Sequence, residues 1–144
     1  MSSGYADIVG QPSIRENKLA GIHLAAHDAA GPLEDVNHPI PRLDTLDAVV
    51  DTDRGAYLGI VIATPLRDDE VSRERLRRKF ELSLGYFQTP EYRERCGLPM
   101  PDRSKIYLNI HADSDSSMLE LVERYMAQVL ANGITPVLKL IHTN

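Results

Sequence analysis

The sequence predicts an α+β fold. We expect a two-layer sandwich: a four-stranded, largely antiparallel sheet in the order β-β-α-β-α-β, helices on one face, and an N-terminal extension. Three observations lead there. Residues 105–112 alternate, with Ile106, Leu108, Ile110 and Ala112 pointing one way and Lys105, Tyr107, Asn109 and His111 the other. That is the period of a strand with one buried and one open face. Two segments carry one apolar stripe each at helical spacing: Leu76, Phe80, Leu84 and Phe87, then Met118, Val122, Tyr125, Met126 and Val129. Leu46–Thr64 reads as a β-hairpin, two apolar runs around a polar corner.

Residues 1–42 form an arm of different texture, broken by Pro12, Pro32, Pro39 and Pro41 and by Gly4, Gly10, Gly21 and Gly31. Within it Ser13–Ala30 has helical signals. Ser13 and Glu16 have capping-box spacing, and Gly31-Pro32 makes a stop. Residues 43–144 read as one domain. The hairpin corner Asp51-Thr52-Asp53-Arg54-Gly55 predicts a positive-φ glycine at Gly55, with Asp51 and Asp53 making Asx turns. Asp68 is the expected N-cap of the first long helix. Pro90–Cys96 allows a short helix ending at Gly97, and Pro99 and Pro101 make the next residues a loop. Ser117 and Glu120 predict a capping box for the second long helix, and Asn132-Gly133 a left-handed end. Ile134–His142 is the last strand, with Pro136 suiting an edge position.

With 144 residues, 42% hydrophobic and 26% charged, the chain reads as one ordinary globular domain. Its net charge of −5 argues against a general nucleic-acid binder. No apolar run approaches a membrane span, and the first twelve residues lack the basic start and apolar core of a signal peptide. A single cysteine, Cys96, excludes an internal disulfide. A cytoplasmic location is expected.

From about Leu43 to Ile141 the layout resembles a family of small bacterial proteins of unknown function that share a β-β-α-β-α-β domain. The residues carrying the likeness are Leu46-Asp47-Ala48-Val49-Val50, the helix with Leu76, Lys79-Phe80 and Tyr86-Phe87, and the strand Ile106–Ile110. Members often have a tryptophan and a histidine near the end of the second strand, where this chain has no tryptophan and reads Thr64-Pro65-Leu66-Arg67. The resemblance implies a fold and no activity.

Several polar groupings have the composition of sites. His23 and His27 stand at i, i+4 and would share a helix face able to hold a metal, with Asp28, Glu34 or His38 as third ligand. Read plainly, they are surface residues of the arm. His111, Asp113 and Asp115 stand where a strand leads into a helix N-terminus, a place for an anion, a metal or a shared proton. Equally, the two aspartates can serve the turn and the helix start. Asp47, Asn109, His111 and Lys139 can line the open sheet face as a ligand site. Tyr57 and Tyr107 on that face can instead anchor a protein interface; equally, a half-polar face open to solvent is what an antiparallel two-layer domain normally shows. The basic run Arg73, Arg75, Arg77, Arg78, Lys79 is interleaved with glutamates and reads as a solvated face. Cys96 follows Arg93 and Arg95, which can lower a thiol pKa, yet no histidine is near it in sequence. No nucleotide-binding or hydrolase motif is present. The expectation is a non-enzymatic domain without a cofactor, contacting itself or another protein and neither nucleic acid nor membrane. The alternative is a small-ligand or metal site around His111, Asp113 and Asn109.

Overall fold

A computed structural model describes residues 29–142. Four strands and three helices follow in order: β1 (Ala48–Asp51), β2 (Ala56–Ile62), α1 (Glu70–Tyr86), α2 (Pro90–Cys96), β3 (Ser104–His111), α3 (Ser116–Ala131) and β4 (Thr135–Ile141). The sheet is open, with strand order β1-β2-β3-β4. Its pairing differs from the expected largely antiparallel one. Only β1 and β2 are antiparallel; β2–β3 and β3–β4 are parallel. The reason lies in the connections. A tight corner reverses the chain, whereas an intervening helix carries it back to the end where it started, so the next strand runs the same way. Here α1 and α2 separate β2 from β3, and α3 separates β3 from β4.

Local chemistry sets the ends of these elements. At the hairpin corner Thr52, not the aspartates, does the turn work. Its Oγ1 accepts from the Arg54 and Gly55 amides and donates to the Gly55 carbonyl. Gly55 is absent from the glycines with positive φ. It is required because a Cβ there would sit 1.9 Å from the Arg103 carbonyl oxygen, which accepts the Ala56 amide. The N-cap of α1 is Asp69, whose carboxylate accepts the Ser72 amide at 2.7 Å; Asp68 bonds Arg73 instead. Asp115 caps α3 without a side-chain bond, and the Ser117 hydroxyl goes to Asp68 rather than to a capping box. Gly133, at φ +81°, ends α3 as the Asn132-Gly133 pair predicts. Ala29 and Ala30 are helical and Gly31, at φ +78°, stops them; the rest of the expected Ser13–Ala30 helix lies outside the described residues.

The core collects Leu58, Ile60 and Ile62 of β2, Ile106, Leu108 and Ile110 of β3, Leu76 and Phe80 of α1, and Met118, Val122 and Val129 of α3. Both predicted helical stripes contribute to it. The core also reaches back before β1, through Ala30, Ile40 and Leu43. Two cations of α1 hold that segment. Arg75 is fully buried and donates from Nε to the Ile40 carbonyl and from Nη1 to the carbonyls of Ala30 and Pro32. Lys79 donates to the carbonyls of Arg42 and Thr45 and pairs with Asp47. The solvated face expected for the basic run is therefore half interior. An arginine or lysine reaches such a position only when several acceptors meet it there.

Candidate functional site

Pairing register decides which side chains share a face, because neighbours directly opposite in a sheet point the same way. One set of rows, Leu58–Ile106–Pro136, Ile60–Leu108–Leu138 and Ile62–Ile110–Leu140, belongs to the side on which β2 and β3 are buried. The opposite rows are exposed or half-buried except at Gly59, which is buried. They are Val50–Tyr57–Lys105–Thr135, then Ala48–Gly59–Tyr107–Val137, then Val61–Asn109–Lys139. Val50 is 57% exposed, Val61 41%, Tyr107 39% and Val137 37%. Tyr57 and Tyr107 meet edge to face with centroids 6.3 Å apart, and the Lys105 ammonium lies 5.7 Å from the centre of the Tyr57 ring. The tyrosine pair expected on this face is thus assembled. Val50, Val61 and Val137, which complete an apolar surface around it, are additions that strand parity in β1, β2 and β4 already encodes.

The other expected members of the face divide. Asn109 and Lys139 are register neighbours on it. Asp47 is not. One carboxylate oxygen accepts the Val61 amide at 2.9 Å and the other meets Lys79 at 2.8 Å, which commits it to the β1 edge and to α1. His111 follows Asn109 in the alternation but is only 4% exposed. The chain turns back over it after β3, and its Nδ1 accepts the Asp113 amide while its ring lies against His142.

The strand-end group His111, Asp113, Asp115 lies where the β2–α1 and β3–α3 connections meet. These loops are stitched to each other. Ser114 Oγ accepts the Leu66 amide, the Asp115 amide donates to the Leu66 carbonyl, and Arg67 donates to the Asp113 carbonyl. One Asp115 oxygen accepts the Asp68 amide and the other pairs with Arg67, and together these hold its carboxyl below the usual aspartate range. Asp68, bonded by Arg73 and then by Ser117, is lowered to about 2. The chemistry available there is spent on joining two loops.

His23 and His27 lie outside the described residues, as does Asp28. Of their suggested companions, His38 has both ring nitrogens engaged: Nδ1 accepts the Ile40 amide and Nε2 bonds the Ser72 hydroxyl. That pattern belongs to a neutral ring protonated at Nε2, and burial followed by the Arg75 charge lowers its pKa. Glu34 lies 3.7 Å from Arg42. Among the described residues no three or more His, Cys, Asp or Glu side chains are grouped to hold a metal, and no helix is long and apolar enough to cross a membrane. The remaining arginines of the basic run are drawn into ion pairs, Arg73 with Asp68, Arg77 with Glu74 and Glu81, and Arg78 with Glu74. Beside Cys96, Arg95 is directed to Asp51.

Comparison of the chain with protein-family models, with curated proteins and with solved structures finds no match.

Proposed function

We propose that this protein acts by protein–protein contact through the open face of its sheet. One observation carries the reading. Three mutually parallel strands, β2, β3 and β4, leave Val61, Val137 and Tyr107 exposed along one side, with Tyr57 half-buried beside them. Parallel strands are ordinarily covered on both faces, and the half-open, polar-faced arrangement belongs to antiparallel sheets. An apolar parallel face without a second cover therefore has the character of an interface, with tyrosines as anchors that give contact area at low entropic cost. The reading takes the domain as two layers, α1 and α3 against one side only. In its support, both helices share a core with Leu58, Ile60, Leu108 and Ile110, while the side chains of opposite parity in β2 and β3, Tyr57, Val61, Lys105, Tyr107 and Asn109, are exposed or half-buried.

A photo-crosslinking amino acid at position 107, in the cells that express the full chain, tests this. We expect covalent adducts to protein from position 107 and none from the helix-side position 120 used as a control. Absence of adducts at 107, or equal adducts at 120, would reject the reading.

A further inference from the structure

A groove of about 470 Å³ runs between α1 and α3, with Leu121 and Tyr125 of α3 along it and Ala29 in its wall. The described chain begins at that same Ala29. We propose that the groove seats the chain's own residues 15–26, through a stripe of Leu19, Ile22 and Ala26. The proposal does not depend on the open sheet face.

The stripe follows from how the chain enters the domain. Ala29 and Ala30 are helical, Ala30 is fully buried, and Gly31, at φ +78°, stops the helix. The burial of Ala30 and the place of Ala29 in the groove wall fix which side of that helix meets the domain. Residues three and four apart share a helix face. Steps of four, four and three toward the N-terminus from Ala30 reach Ala26, Ile22 and Leu19. Small Ala26 falls nearest the tight junction at Ala30, and the two large side chains fall further out. Lengths agree as well. Leu19 to Ala26 is seven residues, about 10.5 Å of helix, and the groove follows α1 from Asp69 to Arg77, about 12 Å.

Charge and an orphaned donor support the same occupant. The groove holds four carboxylates and two arginines. Both arginines are already paired, Arg73 with Asp68 and Arg77 with Glu74, so the surplus is acidic. The outer end of the stripe is basic: Arg15 stands four residues before Leu19 on the same face, and Lys18 is beside it. At the inner end, buried Arg75 donates from Nη1 to the carbonyls of Ala30 and Pro32, while its Nη2 has no hydrogen-bond partner among the described residues. A buried donor left unmade is costly. The last carbonyls of a helix lack partners within it, so a helix running into Ala30 brings such acceptors to this guanidinium.

The tether decides between this segment and a free partner. Ala26 is three residues from Ala29, which is already seated, and so short a connection gives an effective concentration in the mM range or above. Occupancy by the same chain therefore does not vary with protein concentration.

Tyr125 is half-buried and reports the groove. Hydroxyl-radical footprinting of the full chain compares the parent with the double variant Leu19→Asp, Ile22→Asp and with Leu24→Asp, which stands on the opposite side of the helical pattern. Tyr107 on the sheet is the internal reference. Tyr125 labelling should rise severalfold in the double variant and stay unchanged in Leu24→Asp. The substituted positions lie outside the core described above, and circular dichroism verifies folding. If the double variant does not fold, Ile22→Ser, which only trims the stripe, is read in the same way. Unchanged Tyr125 labelling in a folded stripe variant, or an equal rise in Leu24→Asp, would overturn the proposal. Parent labelling of Tyr125 that falls as concentration is raised would overturn it too, by putting a second copy in the groove.

Discussion

Lys79 Nζ lies 2.8 Å from the Asp47 carboxylate, although the lysine side chain is only 1% exposed. The same ammonium donates to the carbonyls of Arg42 and Thr45, so its three protons all have acceptors in the segment that enters β1. The ion pair joins α1 to the edge of the sheet, and Asp47 passes the connection on to β2 through the Val61 amide.

Replacing Lys79 by methionine keeps the length of the side chain and strands a carboxylate and two carbonyls. Breaking one partner of a buried pair costs about 3 kcal/mol or more. We expect Lys79→Met to lower the unfolding free energy by about that amount in urea titrations, with Asp47→Asn costing less because the lysine keeps its two carbonyls. A loss below about 1 kcal/mol for Lys79→Met, the range of a surface change, would contradict this.

His38 sets an acid sensitivity near neutrality. Its folded-state pKa lies below the ordinary value of 6.5, through burial and then the Arg75 charge. The unfolded chain therefore takes up this proton first as the pH falls. The contribution of His38 is complete above the ordinary value and declines as pH drops below it. Thermal unfolding between pH 7.5 and 5.5 should show this decline. His38→Asn should flatten it, and an unchanged slope in that variant would assign the sensitivity elsewhere.

Asp68 acts in a lower window. Its carboxyl is lowered from 3.8 to about 2 by bonds from Arg73 and Ser117. A depressed carboxylate stabilises above its unfolded value and loses that contribution as the pH falls through the folded one. Acid titration of unfolding between pH 4 and 2 should therefore be less steep in Asp68→Asn. Equal steepness would show that the Arg73 bond is not kept in solution.

Gly55 is required by contact rather than by dihedral. A methyl group there would meet the Arg103 carbonyl at 1.9 Å, and a backbone atom cannot swing aside. Gly55→Ala should cost about 1–3 kcal/mol, as overpacking does, and should weaken protection of the Ala56 amide in hydrogen exchange. A neutral result would mean that the corner relaxes away from β3.

Much of this arrangement is legible in the sequence where the signal is periodic. The stripes of α1 and α3 and the alternation of β3 report burial directly, and parity alone brings Tyr57 and Tyr107 to one face. Strand direction is not so encoded. Alternation around Ile106–Ile110 says that one face is buried, and only the helices between β2, β3 and β4 say which way the strands run. Arg75 and Lys79 read as solvated because their acceptors, the carbonyls of residues 30–45, lie 34 to 45 positions away. The caps failed for a different reason. Asp68 and Asp69 are adjacent acids of equal propensity, and tertiary partners, Arg73 and Ser117, decide between them. The same holds for Asp115, whose carboxylate is claimed by Arg67 and the Asp68 amide before it can cap α3.

The open sheet face, rather than the helices, is the surface expected to become covered when molecules meet. Hydroxyl-radical footprinting of the purified full chain at about 1 μM and about 500 μM, spanning the affinities expected of a small interface, reads this residue by residue. Labelling of Tyr107, Val61 and Val137 should fall with concentration while that of Val71 and Leu130, exposed on the helices, stays constant. Protection of the helix residues with an unchanged sheet face would contradict the account.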